Sequence, residues 1–144
     1  MRAAALVLTV AMLSVAPCAT AADSLPIQPG FYVSIDTPCQ KASNATITLY
    51  DGTSFGGAHV ECRKTFTKKL TDGSYQLTRK CKDMQGNGGP WETFTEKDTV
   101  VSQTEVIVTT SSGNFHYRYC SQSDLPDPWN TNDLKSIGIK DPGH

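Results

Sequence analysis

The sequence predicts an all-β domain, with consecutive antiparallel strands forming a small barrel or sandwich and two disulfides. Three observations carry this. Short segments rich in β-branched and aromatic residues recur about every 10 to 15 residues between positions 31 and 120. The dipeptides Asp51-Gly52, Asp72-Gly73 and Ser112-Gly113 supply turns between them. Four cysteines, Cys39, Cys62, Cys81 and Cys120, are spread across the same span, and no window there keeps a helical period.

Each element follows from local pattern. Phe31 to Ile35 is short and β-rich, introduced by Pro29-Gly30. Ala45 to Tyr50 alternates, with Thr46, Thr48 and Tyr50 on one face and Ile47 and Leu49 on the other. Ala58 to Leu70 is longer, with Val60, Cys62, Phe66 and Leu70 on one parity. Lys64 and Lys68 share that parity, so the strand is bulged there or the lysines stand at its open ends. Ser74 to Cys81 places Tyr75, Leu77 and Cys81 on one side. Trp91 to Val101, Thr104 to Thr110 and Asn114 to Cys120 complete the series. Asp83 to Pro90 reads as a glycine-rich loop. Residues 121–144 read as a polar tail outside the β domain of residues 23–120, with one or two helical turns over Thr131 to Ile137 capped by Thr131 or Asn132.

The first 22 of the 144 residues read as an export signal. Met1-Arg2 is a short positive start, Ala3 to Val15 is apolar apart from Thr9 and Ser14, and Ala19-Thr20-Ala21 is a small-residue cleavage site. The apolar run is shorter than the ~20 residues a bilayer requires, and no later segment is apolar enough to span one. Cys18 lies just after the run, but Pro17 is not the small residue that precedes a lipid-modified cysteine, so lipid anchoring is not expected. Four cysteines then remain, an even number in an oxidising compartment. Of the three connectivities, Cys39–Cys62 with Cys81–Cys120 suits a chain of consecutive hairpins and is the expected one. No cysteine pair has a zinc-finger spacing, and none is left over as a catalytic thiol.

Thirteen basic against fourteen acidic residues exclude a globally basic nucleic-acid binder. A local concentration exists nonetheless. Arg63, Lys64, Lys68, Lys69, Arg79, Lys80 and Lys82 surround the Asp72-Gly73 turn, and a hairpin would gather them on one positive surface. Such a surface suits an acidic protein or an anionic envelope component; its ordinary alternative is a solvated hairpin whose lysines guard an edge. Glu92, Glu96, Asp98 and Glu105 are expected to be solubilising or salt-bridging. Glu92 and Glu96 are the one pair to weigh for acid–base work on a glycan. Asp83-x-Gln85-x-Asn87-Gly88 partly echoes a calcium loop, but the twelfth position is Phe94 rather than glutamate. No metal or cofactor is expected.

His59 and His116 read as structural or surface residues, and His144 as a free terminal one; no serine or cysteine has a recognisable base beside it. Asn44 opens an Asn-Ala-Thr acceptor sequence but reads as a turn residue before a strand. Trp91, Phe94, Phe115, Tyr117 and Tyr119 are expected mostly in the core, with Tyr117 and Tyr119 lining a barrel interior. Trp129, in the tail, must dock on its own domain or meet a partner.

Pro29-Gly30-Phe31-Tyr32-Val33, Cys39, Ala42 to Thr46, Asp51-Gly52, Cys62, Gly73-Ser74-Tyr75, Cys81 and Tyr117-Arg118-Tyr119-Cys120 together resemble a group of small exported proteobacterial proteins of unassigned function. The resemblance covers about residues 29 to 120. It implies an exported four-cysteine β domain and transfers no catalytic residue. The architecture is also similar to that of periplasmic lysozyme inhibitors; Thr53 to Gly57 is the nearest small-residue loop and does not match their inhibitory pattern.

The expected function is a non-enzymatic periplasmic or secreted binding module, inhibitor-like, acting through loops and the basic hairpin on a protein or envelope glycan. Candidate contacts are Arg63, Lys64, Lys68, Lys69, Arg79, Lys80, Trp91 and Trp129. Two alternatives stand beside it: a carrier of a small apolar ligand inside a barrel, and a hydrolase of cell-wall glycan.

Overall fold

The structure is a computed structural model that describes residues 24–57, 59–86 and 88–139; the expected leader with Cys18, and His144, lie outside them. Eight strands follow in chain order: β1 Gly30–Ser34, β2 Ile47–Tyr50, β3 Phe55–Gly56, β4 Val60–Lys69, β5 Tyr75–Asp83, β6 Glu92–Ser102, β7 Glu105–Thr110 and β8 Gly113–Cys120. They form one antiparallel sheet in the order β3-β2-β1-β8-β7-β6-β5-β4. Its two ends are sequence neighbours, and Gly57 bridges to Val60 between them, so the sheet curls into a nearly closed barrel.

The closed end of the barrel is packed with Leu25, Ile27, Tyr32, Tyr50, Tyr75, Leu77 and Val106. The segment before β1 seals it: Leu25 N–H donates to the Tyr50 hydroxyl at 3.0 Å, and Gln28 N–H to the Gln103 carbonyl at 2.7 Å. Tyr32 donates to the Gln28 carbonyl at 2.8 Å. Burial pushes the Tyr32 and Tyr50 hydroxyls up, the latter to about 12, so both stay neutral donors.

β1 is buried on both faces, which is why Phe31, Tyr32 and Val33 run apolar without alternation. Tyr32 points inward; Phe31 and Val33 point outward beneath the C-terminal segment. Leu125, Leu134 and Ile139 of that segment are buried against Phe31, Val33, Ala42 and Ile47 in a second apolar cluster. Residues 121–139, expected as a peripheral polar tail, thus roof the outer face of β1 and β2. Gln122 holds the roof together, donating from Nε2 to the carbonyls of Trp129 at 2.9 Å and Asn132 at 2.6 Å. Its turns are 3₁₀, at Gln122–Asp124, Trp129–Thr131 and Leu134–Ile137. The last is capped by Asp133, whose side chain accepts from Ser136 N–H, and not by Thr131 or Asn132. Trp129 is partly buried against the same cluster.

The disulfides are Cys39–Cys120 and Cys62–Cys81. This corrects the sequential pairing. Cys62 and Cys81 are direct cross-strand partners in the β4–β5 register, so hairpin geometry brings them together. Cys39 sits in a 3₁₀ turn beside the end of β8. Two formed disulfides belong to an oxidising compartment outside the cytosol. Among the described residues, no helix is long and apolar enough to cross a membrane.

Two variants test this anatomy. Leu134→Ala is expected to cost about 2–5 kcal/mol in urea unfolding, as a core truncation does and a tail truncation does not. Replacing Cys39 and Cys120 by alanine should cost more than replacing Cys62 and Cys81. The first bridge spans 81 residues and the second 19, giving about 4 against about 3 kcal/mol in the chain-entropy account.

Candidate functional site

The other end of the barrel is open. A cavity of about 310 Å³ enters it, lined by residues from seven of the eight strands. Thr48, Phe55, Gly56, Cys62, Cys81, Val108 and Tyr117 form its wall, and Val60, Phe94 and Phe115 its rim. The rim residues are more than two-fifths exposed, at 42%, 45% and 43%. Three large apolar side chains left in water around one opening form a patch that calls for a function. The wall is otherwise neutral, with Thr48, Thr110 and Tyr117 as its hydroxyl-bearing residues.

Arg79 is the exception. Its place on β5 follows from parity, since Tyr75, Leu77 and Cys81 also face inward. Its Nη2 donates to Glu96 Oε2 at 2.7 Å, and its Nη1 donates to the Phe55 carbonyl at 2.8 Å. One side chain therefore braces β5 to β6 and to β3 across the interior. The Glu96 side chain is 1% exposed. Behind it, Asp98 is fully buried, opposite Tyr75 on β5 and Val108 on β7. Neither Asp98 oxygen finds a hydrogen-bond partner among the described residues, nor do Arg79 Nε and Glu96 Oε1.

Burial raises the Asp98 carboxyl to about 8, the Glu96 charge adds to the rise, and Arg79 opposes it. Burial also raises Glu96 above the usual carboxylate range, against the pull of Arg79. Arg79 and Glu96 stand as an ion pair at 2.7 Å, beside an Asp98 carboxyl that is protonated at neutral pH. Glu96 is salt-bridging, as expected, but inside the barrel rather than on a solvated face; for Asp98 the expectation of a solubilising or salt-bridging role is corrected, since its carboxyl is buried without a partner among the described residues. Both share the parity of Phe94, and that face is the barrel interior.

The basic hairpin does not form one surface. β4 shifts register between Lys64 and Phe66, so its parity reverses at a bulge. Lys64 lies opposite Arg79 and shares its inward face, while Phe66 turns outward and is exposed. Lys69, opposite Tyr75, places Nζ 5.8 Å from that ring's centre. Lys80 lies opposite Arg63 on the outer face, and Lys68 opposite Gln76. Glu61 accepts from Arg63 at 2.8 Å and lies 3.4 Å from Lys82. Trp91 is 40% exposed, with the Arg63 guanidinium 4.7 Å and the Lys82 ammonium 5.0 Å from its ring centre. The outer face therefore carries a smaller cation–tryptophan cluster. Trp91, Phe94 and Phe115, expected mostly in the core, are exposed; Tyr117 and Tyr119 do pack inward.

The remaining candidates are not brought together. Glu92 and Glu96 are four residues apart on one strand, about 13 Å, too far for a glycosidase pair at about 5–9.5 Å. His116 Nε2 lies 2.5 Å from Glu105 Oε1 on the neighbouring strand, outside the cavity lining. His59 is exposed. Asn44 sits in an exposed turn before β2, as expected. The calcium-loop echo includes Asn87, which lies outside the described residues.

Asp98 makes stability depend on pH with a definite sign. Its carboxyl binds a proton more tightly folded than unfolded, so the folded chain holds the extra proton between about pH 4 and about 8. This contribution is full below pH 4 and is lost as pH rises through 8. Asp98→Asn should raise Tm at pH 8 and flatten the fall of Tm from pH 5 to 8, read by calorimetry. Comparison with protein-family models, with curated proteins and with solved structures returned no match.

Proposed function

We propose that the chain is a non-enzymatic exported binding module whose open barrel end holds a small guest with a mainly apolar body. The cavity carries this reading. Its volume is at the low end of the range about 300–1,000 Å³ typical of ligand pockets, its wall is mostly apolar and its polar groups are few. The barrel is filled with side chains at one end only, so a guest does not compete with the whole core. Export is supported by the leader pattern and by the two disulfides, and places the protein in the periplasm or outside the cell after the leader is removed.

A second reading has its own observation. Trp91, with Arg63 and Lys82 on its ring and Lys80 nearby, favours contact with an anionic envelope component through the outer face of β4 and β5.

The test of the cavity is calorimetric titration with naphthalene-2-sulfonamide, a neutral bicyclic probe. One molecule should bind per chain. Thr110→Trp, which fills the cavity, should weaken binding at least about tenfold, near 1.4 kcal/mol. Val101→Trp, at an exposed position near the β6–β7 turn, should leave it unchanged. Equal binding in the two variants would overturn the proposal.

A further inference from the structure

We infer that the guest of this cavity carries an anionic head group, and that Arg79 receives it at the cavity's inner end. The inference rests on the cavity reading above and adds the chemical class of ligand. Every other lining residue among the described ones is uncharged, so Arg79 is the ionic group a guest would meet there. Glu96 and the Phe55 carbonyl each take one bond from its Nη atoms, while Nε is buried. A guanidinium has more N–H donors than these two bonds use. Its side chain is one-fifth exposed, whereas those of Glu96 and Asp98 are buried and do not line the cavity. A cationic guest would meet Arg79 before either carboxylate. An acceptor group, and best an anion, meets a charge-assisted donor.

The surrounding charges fix how affinity varies with pH. Arg79 on β5 and Lys64 opposite it on β4 are the basic side chains of this face. Tyr32 on β1, Tyr50 on β2 and Tyr117 on β8 have hydroxyls pushed up by burial and stay neutral. Tyr75 on β5 lies opposite Asp98, and β7 presents Val106 and Val108. β3 presents Phe55. That leaves Glu96 and Asp98 on β6 as the carboxyls whose ionisation an incoming anion opposes. With Asp98 protonated, the Arg79–Glu96 pair is neutral overall and Arg79 still has N–H donors to offer. With Asp98 ionised, the same interior carries one net negative charge that an anion must approach. Anion binding is therefore coupled to proton retention at Asp98, and affinity falls as pH rises through about 8.

The experiment compares naphthalene-2-sulfonate with its neutral isostere, the sulfonamide, by calorimetry at about pH 6.5 and about pH 9. The sulfonate stays ionised throughout, so its own titration adds nothing. It should bind about tenfold tighter than the sulfonamide at the lower pH and lose most of that preference at the higher. Asp98→Asn should hold the sulfonate affinity at its low-pH value across the range. Since Arg79→Met alone strands a buried Glu96, the double variant Arg79→Met with Glu96→Met is used to remove the charge pair. It should bind both probes alike. A sulfonate that binds no better than the sulfonamide at pH 6.5 overturns the inference while leaving the cavity reading intact. So does a preference that survives the double variant. If neither probe binds, the cavity reading fails and this inference with it.

Discussion

The interior contact between Arg79 and Glu96 is the constraint on which the open half of the barrel depends. An ion pair this deep is costly to desolvate, and apolar side chains of similar volume would often do as well for stability alone. Here the guanidinium also bonds the Phe55 carbonyl of the two-residue β3. β3 is where the sheet's ends meet, and its pairing with β2 covers only two register positions. Arg79 thus ties the weakest strand, at one end of the sheet, to β5 and β6 near the other end from inside. The same group keeps the end it braces from filling with apolar side chains, because its charge needs access to water or to a guest.

Much of this was legible in the strands. Alternation in β5 and β8 gave the inward faces correctly, and the turn dipeptides marked the hairpins. Glu96 and Asp98 were also readable by parity, since both align with Phe94. What hid them was the habit of placing carboxylates in water, a rule that fails when a cation is built into the same interior. Arg79 shares the parity of Leu77 and Cys81, so both halves of the pair were visible on adjacent strands. The β4 bulge was signalled by lysines on an apolar parity, but its position depends on pairing with β5.

The disulfides and the C-terminal roof show two different limits. Cys62 and Cys81 lie at similar distances from the Asp72-Gly73 turn, and the one-residue bulge in β4 brings them into direct register; sequential pairing ignored that near-symmetry. The roof offered no such signal. Leu125, Leu134 and Ile139 have no regular spacing, and their burial comes from the outward face of β1, whose unbroken apolar run was the only hint of a second layer. Rim residues Phe94 and Phe115 were misplaced for a related reason: alternation gives a side chain's face but not how near it stands to the barrel's mouth.

The strand order bears on how the chain assembles. Every pairing but one joins strands adjacent in sequence; the exception is β1 with β8, which brings Val33 to Arg118. That contact closes the longest loop and carries the largest chain-entropy cost, so a meander from β4 to β8 can form before the ring is complete. Cys39–Cys120 lies at this junction, where Cys120 is the β8 partner of Phe31. The bridge with the longest span therefore secures the pairing that local hairpins do least to hold.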